Sequence, residues 1–195
     1  MKYRKKTALA FLTFIITFSY VYFVPPTPRL ATSSLSKHEA TIYGVLEREG
    51  SHLNFKTRCE IAKKVIELSS LYRIDPLLIL AVVKVESSFN PAAVSNKGAM
   101  GLMQVMPVVV RDVGREMGTN SADHARLLQG HLFNLHIGVH YLSKLIHLYR
   151  GDMNKALMAY NRGPTSVSRS YSHRLAPTGG YQGKVLRVYR NYSNI

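Results

Sequence analysis

A chain of 195 residues with 46% apolar content can form one compact domain plus an appendage, and needs only one core. The single cysteine, Cys59, excludes an internal disulfide and with it a cysteine redox pair or metal cage. The formal net charge of +15 favours polyanions such as nucleic acid, anionic lipid or acidic wall polymers, although a basic solvated surface gives the same balance.

The N-terminal segment is typical of a membrane anchor. Residues 7–24 are uncharged and mostly apolar, and their length is at the short end of the membrane-spanning range. Four bases precede them: Lys2, Arg4, Lys5 and Lys6. We therefore predict that residues 1–24 form a cytoplasmic basic tip and a transmembrane signal-anchor helix, with the rest of the chain across the inner membrane. A cleaved signal peptide is the alternative, with a weak small-residue site at residues 30–33.

Residues 25–53 are predicted to be a Pro/Ser-rich linker and a segment leading into the domain. Three prolines come first, and several serines follow before residue 37. This composition indicates a stiff, exposed spacer. Residues 39–53 lack a strong period and are left unassigned. The folded domain is placed at residues 54–195.

The domain is predicted to be all-α with a single core. A helix is indicated by apolar residues at helical spacing between Ile61 and Tyr72. Asp75 is a good N-cap and Pro76 a good first helical residue, so a second helix starts there. That helix runs to about Glu86 and is apolar on all sides, which places it at the centre of the bundle.

The rest of the chain continues in the same pattern. After a loop at residues 90–101, a helix is expected to begin near Pro107. A long amphipathic helix is predicted from Leu135 to Tyr149, and a short one after the cap residue Asp152, closed at Gly163 and Pro164. A last helix is marked by Tyr181, Val185, Val188 and Tyr192. No convincing period-two strand is present.

Glu86 has the most informative chemical setting. It follows the almost wholly apolar residues 76–85 at the end of the central helix. A carboxylate there is poorly solvated and close to the negative end of the helix dipole, so its ionised form is disfavoured. This environment suits a general acid, although a lone glutamate in such a position is more often structural.

Three sequence blocks give this glutamate a context. They are residues 86–91 with Ser95 shortly after, residues 101–107, and residues 159–163. In this order and spacing they resemble the SLT-domain lytic transglycosylases, bacterial enzymes that cleave peptidoglycan strands on an all-α fold similar to goose-type lysozyme. The resemblance covers about residues 60–192, and it makes residues 54–195 the catalytic domain.

The resemblance implies a role for each matching residue of the first two blocks. Glu86 is expected to be the catalytic acid and base. Ser95 is expected to contact the N-acetyl group of a sugar, and Gln104 and Met106 are expected to line the cleft.

The third block and two further segments supply the remaining candidates. Tyr160 and Asn161 belong to the third block, and Tyr160 is expected to face the catalytic carboxylate. Segments 134–142 and 179–185 are similar to family segments that each carry a cleft tyrosine, here Tyr141 and Tyr181. From the residues alone, both tyrosines are equally well explained as core wedges.

Other polar residues near these blocks are interpreted more simply. Asp112 and Glu116 are the only further acids close to the motifs, and both are taken as surface charges. His136 and His140 have the spacing of a zinc pair but no third ligand at a usual spacing, so we expect surface or cleft-edge histidines and neither a metal nor a cofactor.

The chain also departs from the family pattern. Arg162 stands where the family usually has a small residue, and residues 166–180 are unusually polar and basic. Such changes affect the shape of the sugar subsites rather than the acid. An arginine in a glycan cleft can contact stem-peptide carboxylates.

The function implied is that of a peptidoglycan lytic transglycosylase, which cleaves the MurNAc-GlcNAc β-1,4 bond without water and leaves 1,6-anhydro-MurNAc ends. Glu86 would act as general acid and then as base. Two alternatives stay open: a hydrolytic muramidase on the same fold, and a non-catalytic peptidoglycan-binding scaffold of a secretion apparatus.

The expected partners follow from this function and from the predicted anchor. They are peptidoglycan glycan strands, the inner membrane, and as a further candidate a secretion or envelope machine. Nucleic acid is excluded because the anchor places the domain outside the cytoplasm and no recognition motif is present. The expected location is the bacterial cell envelope, with the catalytic domain in the periplasm or outside.

Overall fold

The computed structural model describes residues 36–118, 130–172 and 180–194. All of them belong to one compact unit, which runs from Leu35 to Ile195. The predicted anchor at residues 7–24 and the proline-rich part of the linker lie outside the described residues. Among the described helices, none is both long and apolar enough to span a bilayer.

The first described helix, α1, spans Lys37–Glu49. A capping box starts it: Glu39 N donates to Ser36 Oγ (3.2 Å), and Ser36 N donates to Glu39 Oε2 (2.8 Å). Ile42, Val45 and Leu46 are buried in the main core. The segment that the sequence left unassigned therefore contributes a helix to the same core as the predicted domain.

Helices α2 (Phe55–Tyr72) and α3 (Pro76–Ser87) follow, and the predicted Asp75 cap is confirmed because its carboxylate accepts from Leu77 N at 2.8 Å. Every residue from 78 to 83 is at most 4% exposed. A helix buried on all sides must have neighbours on all sides, and α3 packs against α1, α2 and the last helix. The prediction that α3 is central is confirmed.

Five further helices complete the described unit: α4 (Pro107–Glu116), α5 (His131–Leu148), α6 (Met153–Arg162), α7 (Pro164–Ser172) and α8 (Tyr181–Ser193). Helix α5 packs on α2, α4 and α6, while α8 packs along α3 and against α6. The all-α prediction is confirmed for the described residues, where the loop after α3 adds only isolated bridges from Met100 to Val94 and Val105.

Helix α7 was not predicted, because its sequence is polar and carries little apolar periodicity. It is held by a small second core in which Val167 packs with Leu145 of α5 and with Ala156 and Ala159 of α6. This packing fixes the C-terminal end of α6, which bears the third sequence block.

Candidate active site

A pocket of about 650 Å³ lies where the end of α3, the loop after it and the end of α6 meet. It is lined by Glu86, Ser95, Asn96, Lys97, Ala99, Gln104, Met106, Tyr160, Asn161 and Arg162. The structure thus brings together one residue or more from each of the three sequence blocks. Of the predicted site residues, only Tyr141 and Tyr181 are absent from this lining, and both contact residues that belong to it.

Glu86 is the penultimate residue of α3 and contributes the one carboxyl group among the described lining residues. Burial raises the pKa of this carboxyl from 4.5 to about 7, because a desolvated charge is disfavoured. The Tyr181 hydroxyl donates a hydrogen bond to Oε1 at 2.6 Å and opposes this rise by stabilising the ionised form. The group therefore exchanges a proton near neutral pH, which suits a general acid and base.

The hydrogen bond to Glu86 comes from Tyr181, while Tyr160, the tyrosine expected to face the carboxylate, lines the same pocket and is close enough for the charge of Glu86 to raise its pKa. The Tyr160 hydroxyl donates to the backbone oxygen of Met103 at 2.9 Å, whereas Tyr181, from the start of α8, faces the carboxylate. Burial and the nearby charge of Glu86 hold the pKa of both tyrosines well above the usual value, so both stay neutral donors. Tyr141 packs against Tyr160, with ring centroids 5.6 Å apart, and supports it.

Ser95 and Gln104 line the pocket and also hold the loop together. Ser95 Oγ accepts from the backbone nitrogens of Ala99 (3.0 Å) and Lys97 (3.3 Å). Gln104 Nε2 donates to the oxygens of Ala93 (3.0 Å) and Gly101 (3.1 Å). Ser95 acts as an acceptor in these bonds, and a serine hydroxyl that accepts can also donate its proton to a ligand.

Sequence reasoning missed the residue that fixes this loop. Asn134 on α5 is fully buried; its Oδ1 accepts from Met103 N (2.9 Å) and its Nδ2 donates to Met100 O (2.7 Å). Gly101 has a φ of +76°, and a Cβ there would lie 2.5 Å from Asn134 Cγ. The sequence carries little signal for this role, because Asn134 lies one position before the predicted helix, whereas the observed helix begins at His131.

The histidine pair serves a structural network. The Tyr72 hydroxyl lies 2.9 Å from His136 Nε2 and 3.0 Å from His140 Nδ1, which links α2 to α5. Glu116 lies at the surface and pairs with Lys144, and Asp112 is exposed, as expected for both acids. Within residues 36–118, 130–172 and 180–194, no three metal-ligating side chains are grouped.

Comparison with known proteins shows which family the chain resembles in sequence. The family model described as the transglycosylase SLT domain matches residues 63–177. A protein named transglycosylase from Enterobacteria phage PRD1 is 37% identical over 119 residues, which are 61% of this chain and 39% of the phage protein.

Two solved structures share the fold. One is an inactive Glu-to-Gln variant of the lytic transglycosylase Slt from Pseudomonas aeruginosa (TM-score 0.58, 24% identity), and the other is the 70 kDa soluble lytic transglycosylase from Escherichia coli (TM-score 0.59, 23% identity). Each comparison covers 68% of this chain and 24% of the solved chain.

These likenesses define the class as a helical, lysozyme-like transglycosylase domain. Because the family model matches more than half of its residues, the chain belongs to the transglycosylase SLT domain family. It spans about two fifths of the phage relative's length and about a quarter of each solved chain.

The contact between Gly101 and Asn134 predicts an unusually costly substitution. Gly101→Ala should destabilise the protein by ~1–3 kcal/mol more than Gly151→Ala, because the added methyl must displace the buried amide. Gly151 is the matched control: its φ is +85°, but an added Cβ would meet no atom within 4 Å, so only backbone strain results. Urea unfolding measures the free energy of unfolding of both variants. Equal losses of stability would show that the buried Asn134 amide does not restrict the space at Gly101.

The hydrogen bond from Tyr181 predicts different effects for two similar substitutions. Tyr181→Phe removes a donor to the ionised carboxylate, so the pKa of Glu86 should rise further above 7. Tyr160→Phe removes a bond to a backbone oxygen instead and should change that pKa much less. Carbon-13 NMR of glutamate carboxyls follows the titration, with the Glu86 signal assigned by its loss in Glu86→Gln. Equal changes in the pKa of Glu86 in the two variants would show that Tyr181 is not its specific hydrogen-bond partner.

Proposed function

We propose that this chain is a peptidoglycan lytic transglycosylase that cleaves the MurNAc-GlcNAc β-1,4 bond without water. The observation that carries the proposal is the one carboxyl among the described pocket residues, Glu86, whose pKa is raised by burial to about 7. Family membership supports the class of reaction. The bond that is cleaved, the product and the role of each residue are proposals, which we argue from the residues that line the pocket.

In the first step, Glu86 acts as the general acid. Its proton passes to the glycosidic oxygen as the bond from that oxygen to C1 of MurNAc breaks. The oxygen of the sugar's own N-acetyl group stabilises the cation that develops at C1, so no second carboxylate is needed. Ser95 is proposed to hold this N-acetyl group, since it lines the pocket and its hydroxyl only accepts in the bonds of the described residues.

In the second step, the same group acts as the base. Ionised Glu86 removes the proton from the C6 hydroxyl of MurNAc, O6 bonds to C1, and the 1,6-anhydro ring closes. Tyr181 is placed to stabilise the ionised form between the two steps, because it donates to Oε1. The carboxyl ends protonated and ready for another turnover, and water is not consumed.

The main alternative is hydrolysis. Glycosidases that hydrolyse with two carboxylates need the second group ~5–9.5 Å from the first. Among the described residues that line the pocket there is no acid besides Glu86. The pocket therefore favours a mechanism with one carboxyl, in which the substrate supplies the second group.

The predicted N-terminal segment gives the proposal a location. If residues 1–24 anchor the chain as their composition predicts, the domain faces the wall from the outer side of the inner membrane. Peptidoglycan strands are then the polymer within reach. A secretion or envelope machine at the same membrane is a further proposed partner.

The decisive test is digestion of purified sacculi with the full chain and with Glu86→Gln, followed by mass spectrometry of the product ends. We expect 1,6-anhydro-MurNAc ends from the wild type and a rate lower by at least ~100-fold for Glu86→Gln, because a general acid contributes that much or more. Inactivity of the Glu-to-Gln variant of Slt from Pseudomonas aeruginosa is a precedent for the substitution.

The matched control is Glu47→Gln, which removes an exposed carboxylate on α1 and should leave the rate unchanged. Reducing MurNAc ends from the wild type would establish a hydrolase instead. If neither the wild type nor Glu86→Gln released products, the scaffold alternative would replace the enzyme.

A further inference from the structure

Two cationic side chains line the pocket from different elements. Lys97 lies in the loop between Ser95 and Ala99, and Arg162 is the last residue of α6. Both side chains are exposed. Arg162 directly follows Tyr160 and Asn161, so it continues the wall that the third sequence block forms.

Neither cation has an acidic partner in the part of the chain that the structure describes. Acidic residues outside the pocket form ion pairs with other basic residues: Glu49 with Lys84, Glu60 with His131, and Glu116 with Lys144. Among the described pocket residues the single carboxyl is Glu86, and burial favours its neutral form. The pocket therefore carries two exposed cations that form no ion pair with its described residues.

The backbone beneath each cation is held in place. Lys97 N donates to Ser95 Oγ (3.3 Å), and Gly98 N donates to Ser95 O (2.9 Å). At the end of α6, Gly163 N donates to Ala159 O at 2.8 Å. Both cations thus start from fixed points on the wall of the pocket, and their exposed side chains can meet a ligand.

The chemistry of the strand says what such charges bind. Sugar hydroxyls and acetamides are neutral, so they can be bound by hydrogen bonds alone and need no cation. The carboxylates of a peptidoglycan strand come from two sources: the lactyl group of MurNAc where no peptide is attached, and the stem peptide where one is. A guanidinium binds a carboxylate through two parallel hydrogen bonds, and an ammonium binds it as a point charge.

We propose that Lys97 and Arg162 form a carboxylate-binding site that makes the enzyme prefer anionic glycan strands to neutral ones. This inference rests on the proposed function of the same pocket and names the substrate class within it. Both residues are specificity determinants here and take no part in proton transfer.

The test compares four proteins on matched substrates. The full-length wild type, Arg162→Gln, the double variant Lys97→Gln with Arg162→Gln, and Arg187→Gln are assayed for kcat/KM. The strands are peptide-bearing or denuded, and each is also used with its carboxylates converted to methylamides. Arg187 is the control because it is an exposed arginine on α8 that does not line the pocket.

We expect the double variant to lose ~3- to 10-fold in kcat/KM on carboxylate-bearing strands, because exposed ion pairs have modest strength. It should lose less than about two-fold on methylamidated strands, and Arg187→Gln should change neither. Raising the ionic strength should reduce the wild type's preference, since salt screens exposed charges. Peptide-bearing and denuded strands separate the two sources: the larger loss identifies the carboxylate that is bound.

An equal loss on carboxylate and methylamide strands would overturn the proposal, and so would an unchanged rate on both. Arg162→Lys keeps the charge and should retain most of the preference, which separates a charge effect from misfolding. Strand binding by Glu86→Gln, with and without the two cation substitutions, gives a readout that does not need turnover. If the wild type released no products, the proposed function would fail. The strand-binding comparison would still show whether Lys97 and Arg162 bind the carboxylates of the strand.

Discussion

The burial of one carboxyl group at the end of a helix is the constraint on which the rest of this structure depends. An exposed glutamate would be ionised at neutral pH, and its proton would not be available to a leaving group. Helix α3 keeps Glu86 from full exposure because the middle of the helix, residues 78–83, is buried in the core. Its last turn places Glu86 at the edge of the core, where the side chain lines the pocket. Desolvation then holds the neutral form at a cost in folding free energy.

The surrounding elements can be understood as supports for that position. Helix α8 packs along α3 and brings Tyr181 to the carboxylate, and α6 brings Tyr160 to the loop that closes the pocket. The loop itself depends on Asn134, whose amide satisfies two backbone groups from the interior of the bundle. A buried amide left without hydrogen-bond partners is costly, so we expect the loop and α5 to unfold together.

Much of this arrangement was predictable from local patterns. The Asp75 cap and the apolar run at residues 76–83 of α3 depend on residues close in sequence, and both are confirmed. Helix α1 was not predicted, because its apolar residues show too weak a period to identify it, and the structure shows that a capping box of Ser36 and Glu39 starts it. Helix α7 lacks a clear local signal, because it is held through the packing of Val167 against residues of α5 and α6.

The rest depended on contacts between distant parts of the chain. Tyr181 and Glu86 are 95 residues apart, so which tyrosine meets the carboxylate follows from how α8 packs on α3 and not from any motif. The same holds for Asn134, whose partners lie more than 30 residues earlier in a loop. Spacing within a block predicts which residues share a pocket, whereas packing decides which of them touch.

The central claim is that the fold holds Glu86 neutral at a thermodynamic cost, and its pH dependence has a definite sign. The folded pKa of about 7 lies above the unfolded value near 4.5. The stabilisation from the bound proton is therefore complete below 4.5 and is lost as the pH rises through 7. Glu86→Gln carries no such proton, so the difference between the two proteins isolates this group.

The most direct measurement is the free energy of unfolding of wild type and Glu86→Gln across this pH range. The account predicts that the wild type loses about 3 kcal/mol relative to the variant between pH ~4 and ~8. A difference that stays constant with pH, or one that shifts in favour of the wild type as the pH rises, would contradict it.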